Sequence, residues 1–170
     1  MQLRDPLVYK TNFRNVNLSK MDFKDIDLSG SDFGGSTLIG STFYDCNLEG
    51  VDFINTDLSH VRFHKSNLSE AKFKKTKLQN TLFSKVDLSH AHFSKVTAME
   101  TTFDRVNLDA STFENSDFSL TYFRNTLMRN SRIKRTALPQ SLSKKQMCGS
   151  RVGKKRLPNC EAVFAWDDGL

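Results

Sequence analysis

Apolar residues recur at every fifth position from Phe13 to Phe123. Through Phe113, phenylalanine and leucine alternate as Phe13, Leu18, Phe23, Leu28, Phe33, Leu38, Phe43 and onward, with Ala98 the only substitution. A helix repeats near 3.6 residues and a strand at 2, so a strict period of five fits neither and marks a repeat architecture. Two residues before each Phe or Leu stands a second class of largely small or β-branched side chains: Val16, Met21, Ile26, Ser31, Ser36, Ser41, Cys46, Val51, Thr56, Val61, Ser66 and Ala71. Such a unit points two side chains inward and three outward, so that four units close a square turn of about twenty residues and the turns stack into an all-β solenoid.

A twenty-residue turn places residues twenty apart above one another. Phe columns then run through 13, 33, 53, 73, 93, 113 and through 23, 43, 63, 83, 103, 123 on opposite faces, with Leu on the other two. Ala98 falls between Leu78 and Phe118, and Phe118 is the one Phe in a Leu column. A large neighbour is therefore expected to fill the hole left by a small one, as close packing requires.

Units such as Val16-Asn17-Leu18-Ser19-Lys20 and Ile26-Asp27-Leu28-Ser29-Gly30 resemble the pentapeptide-repeat family, whose unit is written A(D/N)LXX. The resemblance covers roughly residues 6 to 135, more than twenty consecutive units in register. It implies a right-handed quadrilateral β-helix of about six turns, a rod roughly 30 Å long at a strand spacing of about 4.8 Å. The expected organisation is a lead-in over residues 1–12, the β-helix over 13–135 and a short helical or irregular capping tail over 136–170.

In that tail Ser141 or Ser143 can cap a short helix around Lys144 to Cys148, stopped by Gly149. The stretch from Leu142 to Met147, then Gly153 and Leu157-Pro158, resembles the tail of many bacterial members of the family, with Lys154 standing where that pattern has an acid. Leu120, Tyr122 and Leu127 occupy outward positions that elsewhere hold polar residues. Leu142, Met147, Val163, Phe164 and Trp166 are the candidates to fold back over them.

The first residues lack the apolar core of a signal peptide, and no apolar run approaches a membrane span. Three cysteines, Cys46, Cys148 and Cys160, cannot all pair, which favours a reduced, cytoplasmic setting; a Cys148–Cys160 bridge is the alternative. Secretion as an effector, by an apparatus that reads an unstructured N-terminus, would leave no pattern of its own.

Nothing in the chain forms a catalytic constellation, a phosphate loop or a cofactor motif, and a non-enzymatic protein without cofactor or metal is expected. His60 and His64 fall near one corner and His90 and His92 near the opposite one, so they cannot share a metal. The recurring Asp and Asn, including Asn17, Asp22, Asp27, Asp32, Asp52, Asp57, Asn67, Asp87 and Asn107, are read as turn stabilisers that bond nearby amides rather than as a calcium ladder.

Charge is unevenly spread. Residues 1–60 hold five Lys or Arg against nine Asp or Glu, residues 61–136 fourteen against seven, and residues 137–170 six against three, for a net charge of +6. Stacking puts Lys72, Lys74, Lys75 and Lys95 on one face and Arg62, Lys65, Lys85 and Arg105 on the opposite one, a basic girdle with no exposed aromatics interleaved. The girdle is the candidate interaction surface for an unknown protein with an acidic surface; a solubility device is the plainer reading, and nucleic acid or anionic membrane are weaker ones. The family resemblance adds two further functions. Some members mimic duplex DNA and protect type II topoisomerases, a role that the charge of +6 disfavours; others belong to secreted effectors.

Overall fold

The computed structural model describes residues 8–142, 146–148 and 150–157, together with the backbone of residues 2–3. Its strands are short, because each side of the square is only about three residues long. They are β1 (Gln2–Leu3), β2 (Asp22–Lys24), β3 (Thr42–Tyr44), β4 (Arg62–His64), β5 (Lys72–Lys74), β6 (Leu82–Ser84), β7 (His92–Ser94), β8 (Thr102–Asp104), β9 (Thr112–Glu114), β10 (Tyr122–Arg124), β11 (Arg132–Lys134), β12 (Arg151–Val152) and β13 (Lys155–Arg156).

Two sheets, parallel except for the β12–β13 pair, form opposite walls. One runs β1-β2-β3-β4-β6-β8-β10, the other β5-β7-β9-β11-β12-β13. Within the repeat each strand pairs with the one twenty residues on, as Phe43 with Phe63 and Phe93 with Phe113. The Leu walls are held instead by single parallel bridges, such as Asp57 with Lys77 and Asp87 with Asn107. The four-sided β-helix of about six turns is thus the fold, and the Phe and Leu walls alternate as the sequence predicts.

Ten phenylalanines from Phe23 to Phe113 are almost wholly buried. Within a column their rings stack with centroids 4.5 to 5.5 Å apart, and Phe33 and Phe43 meet edge to face across the interior at 6.4 Å. Offset stacks and T-shaped contacts both suit the ring quadrupole. The second inward column has a role beyond size. Where it holds Ser or Thr, the hydroxyl donates to a backbone carbonyl, either in the turn below, as Thr56 Oγ1 to Phe33 O at 2.8 Å and Thr81 Oγ1 to Leu58 O at 2.8 Å, or two or three residues back, as Ser66 Oγ to His64 O at 3.1 Å. Some serine hydroxyls also accept from an amide, Cys46 N to Ser66 Oγ at 3.1 Å among them. Among the described residues no buried side-chain N or O lacks a partner.

Each corner turns on the fifth residue of the unit, which takes a left-handed conformation. The four glycines at positions 30, 35, 40 and 50 adopt it, but so do residues such as Lys65 (φ 50°), Glu70 (φ 60°) and Ala110 (φ 58°). Many corners close with a hydrogen bond from the first residue of the next unit back to the Phe or Leu carbonyl, as Ser41 N to Leu38 O at 3.0 Å. A positive φ at the third turn position is what type II turns require. No β-branched residue occurs at a fifth position from 10 to 135. Asn55→Val, placing one at φ 58°, is expected to cost about 1–3 kcal/mol in urea unfolding, whereas Asn55→Gly stays near neutral.

Leu120 is the exception: it alone among these corner residues lacks a positive φ, and Glu100 N donates to Leu120 O at 3.1 Å where the pattern would use Ser119 O. Phe118, just before it, fits the expectation from Ala98. Its ring is buried and meets Phe93 at 5.7 Å, Phe113 at 5.3 Å and Phe103 at 6.3 Å. It therefore leans into the level of Ala98 below.

The tail leaves the twenty-residue period. β12 pairs with β11 as Arg132 with Arg151 and Ile133 with Val152, an offset of nineteen, and β13 turns back antiparallel. Residues 146–148 form a turn, and the other residues of the expected helix lie outside the described ones. Leu142 and Met147 pack against the end of the core, but Leu120, Tyr122 and Leu127 remain exposed, so these two do not cover them. Val163, Phe164 and Trp166 lie outside the described residues. Cys46 is a buried free thiol and Cys148 is disulfide-bonded, as the bridge alternative requires; Cys160 itself lies outside the described residues. No helix among the described residues is long and apolar enough to cross a membrane.

Candidate functional site

The structure resolves the girdle into two basic ridges on diagonally opposite corners. Lys65, Lys85 and Arg105 occupy successive fifth positions on one corner, linked by Lys65 N to Ser84 O and Lys85 N to Asp104 O. Lys75 and Lys95 stack on the other, beside the outward Lys72 and Lys74 of β5 that flank buried Phe73. Arg62 lies apart on β4, between Thr42 and Leu82 of the neighbouring strands. The eight residues thus do not form one surface.

Their prominence has a local cause. A left-handed corner faces solvent, and a long cation there blocks edge-to-edge association without entering the core. Among the described residues none of the eight belongs to an ion pair; the pairs are Arg14–Asp32 (2.8 Å), Lys24–Asp25 (3.8 Å), Lys77–Asp57 (3.4 Å) and Arg129–Asp109. These exposed pairs contribute little to stability, and they leave the girdle unneutralised.

Where the acidic corner residues Asp25 and Asp45 give way to Lys65, a small polar cluster forms around Tyr44. Lys24 and Lys65 lie over its ring at 5.5 and 5.4 Å, His64 stacks on it at 5.2 Å, and Lys65 Nζ donates to its hydroxyl at 3.3 Å. That hydrogen bond, with the nearby charges of Tyr44 and Asp45, raises the Lys65 pKa. Tyr44 is half-buried in this cluster.

The Asp and Asn row behaves as turn chemistry. Asn17, Asp27, Asp32, Asp52, Asp57, Asn67, Asp87 and Asn107 each accept from the amide two residues on, for example Ile54 N to Asp52 Oδ1 at 2.7 Å. Asp22 is exposed on β2 instead. Burial pushes the Asp57 carboxyl up, but hydrogen bonds from Ser59 and Lys77 outweigh it and its pKa falls below the ordinary carboxylate value. Oxygens committed to amides are poorly placed to ligate calcium. Among the described residues no three His, Cys, Asp or Glu are grouped to hold a metal. Cys46 is no candidate nucleophile either, since burial raises its thiol pKa to about 11.

Two grooves open along the β5-β7-β9-β11 wall. One of about 460 Å³ is lined by Glu70, Lys72, His90, His92, Thr112 and Arg132, among others, with His92 Nδ1 2.8 Å from Thr112 Oγ1. It brings His90 and His92 together, away from His60 and His64. The second, of about 290 Å³, lies at the tail and is lined by Asn130, Ser131, Arg132, Arg151 and Arg156. Composition marks these arginines as basic, but the five-residue count cannot bring them together, because the tail joins at an offset of nineteen.

Comparison with known proteins agrees with this architecture. The profile described as a pentapeptide repeat region matches residues 8–73 and 31–103, together more than half of the chain. No curated protein matches by sequence. Among solved structures, the pentapeptide-repeat protein Rfr23 from the cyanobacterium Cyanothece 51142 is 16% identical, with 76% of this chain and 89% of that one covered and a TM-score of 0.54. QnrB1, a plasmid-mediated fluoroquinolone resistance protein, is 15% identical over 98% of this chain and 92% of its own, with a TM-score of 0.43. HetL, involved in heterocyst differentiation regulation in Nostoc sp. strain PCC 7120, is 18% identical over 75% and 60%, with a TM-score of 0.31. At these identities the likeness is one of fold. With its unbroken five-residue register, its four-walled stack and the profile match over more than half its length, the chain belongs to the pentapeptide-repeat family.

Proposed function

We propose that the chain is a non-enzymatic protein-interaction module that presents its basic girdle to an acidic surface of a partner protein. The observation that carries this reading is the set of stacked, exposed cations at Lys65, Lys85, Arg105 and at Lys72, Lys74, Lys75, Lys95, none of which forms an ion pair among the described residues. A rigid β-helix fixes their spacing, so a complementary surface meets them without ordering cost in the rod. Charged surfaces of this kind act mainly on association rate and specificity.

The test is retention of proteins from a lysate of the source organism on the immobilised chain at low and moderate salt. Wild type is compared with a variant carrying Lys72, Lys74, Lys75 and Lys95 changed to Glu. A protein held by wild type and lost by the variant is the expected result. A type II topoisomerase held equally by both would favour the DNA-mimic reading instead. No retained protein would leave the girdle as a solubility device.

A further inference from the structure

The tail converts a basic segment into an arranged site. Arg132 on β11, Arg151 on β12 and Arg156 on β13 occupy directly paired positions on three neighbouring strands, all three exposed on the outer face. Strands lie about 4.8 Å apart, and like charges directly opposite one another destabilise a sheet. Among the described residues none of the three is in an ion pair. Instead they share a groove of about 290 Å³ with Asn130 and Ser131.

We propose that this arginine ladder binds a small phosphate ligand bearing a diphosphate group. Three planar guanidinium forks side by side suit two linked phosphoryl groups, each able to accept paired N–H donors, and a group of several negative charges offsets the repulsion within the ladder. Residue choice supports phosphate over a loose counterion cloud. All three ladder positions are arginine, whose planar fork pairs with phosphoryl oxygens as a lysine ammonium does not. Among the described residues neither an aromatic nor a large apolar side chain lines the groove, whose polar and cationic lining suits a phosphate rather than a stacked base or an acyl chain. None of the three arginines belongs to the girdle, although Arg132 also lines the neighbouring groove that reaches Lys72.

The probe is inorganic pyrophosphate, titrated by calorimetry into the full chain at physiological salt. Arg151→Gln is expected to weaken binding by about tenfold or more, since a charge-assisted bond is lost. Arg132→Lys should also weaken it several-fold, because it keeps the charge but loses the fork. Lys75→Gln, a control on the same wall outside the groove, should leave the affinity within about twofold. Pyrophosphate should raise the melting temperature of wild type and not that of Arg151→Gln, whose unliganded melting temperature reports that it is folded. Absence of binding at millimolar pyrophosphate overturns the proposal. So does equal weakening by Arg151→Gln and Lys75→Gln, or single-stranded DNA binding that those two variants weaken alike while pyrophosphate gives no heat.

Discussion

Truncating Phe63 to alanine is expected to cost about 3–5 kcal/mol in denaturant unfolding. The ring is fully buried, stacks on Phe43 at 4.9 Å and on Phe83 at 5.0 Å, and meets Phe53 edge-on at 6.1 Å. Removing it leaves a cavity bounded by rings in three turns, and the rigid ladder of inter-turn bonds limits collapse. Phe63→Leu, the side chain of the adjacent walls, should cost distinctly less. Position along the rod sets the size of the effect. Phe13 is only partly buried and among the described residues stacks on one ring, Phe33, at 4.8 Å, so Phe13→Ala should cost less than half as much. In a one-dimensional stack each turn is supported by its neighbours on both sides. Equal losses at the two positions, read from urea midpoints at constant slope, would contradict that view of the core.

The five-residue period was enough to read the walls, the twenty-residue turn and both Phe columns, because the inter-turn backbone bonds of the coil, Glu100 N to Leu120 O excepted, follow from that one count. It also placed Ala98 beneath Phe118. Other features were illegible for definite reasons. The hydroxyls of Thr56 and Thr81 look like mere small residues in the sequence, since their carbonyl partners lie 23 residues away in the turn below. The division of the girdle between opposite sides, by contrast, was legible, because a twenty-residue turn separates positions 65, 85 and 105 from 75 and 95. The arginine groove depends on a single-residue change of period at the tail, which no local signal announces. Leu120 was readable as an outward apolar residue, but not as the corner that abandons the left-handed turn.

The pairing of Ala98 with Phe118 predicts a strong coupling between two substitutions. Ala98 is buried, and the Phe118 ring contacts Phe93 and Phe103 of the turn below as well as Phe113 of its own. Ala98→Leu alone therefore drives a new side chain into an occupied space and should destabilise by about 1–3 kcal/mol. Phe118→Leu alone withdraws the ring from above a small residue and opens a void, at a similar or larger cost. Made together, the two changes restore an unbroken leucine column above Leu78, as in the regular turns nearer the N-terminus, and the double variant should lie within about 1.5 kcal/mol of wild type. The double-mutant cycle should thus show about 1–3 kcal/mol of favourable coupling, the range met by residues in direct contact. Additive losses would mean that the ring does not fill the space over Ala98. The same experiment bears on the neighbouring surface, where Thr97, Ala98, Met99, Asp117, Ser119 and Leu120 line a notch of about 80 Å³. If Phe118 leaning inward is what pulls the corner out of its left-handed turn, the double variant should return the amide of Glu100 to Ser119 O, a change visible in its hydrogen-exchange protection and in the chemical shifts of residues 119–121.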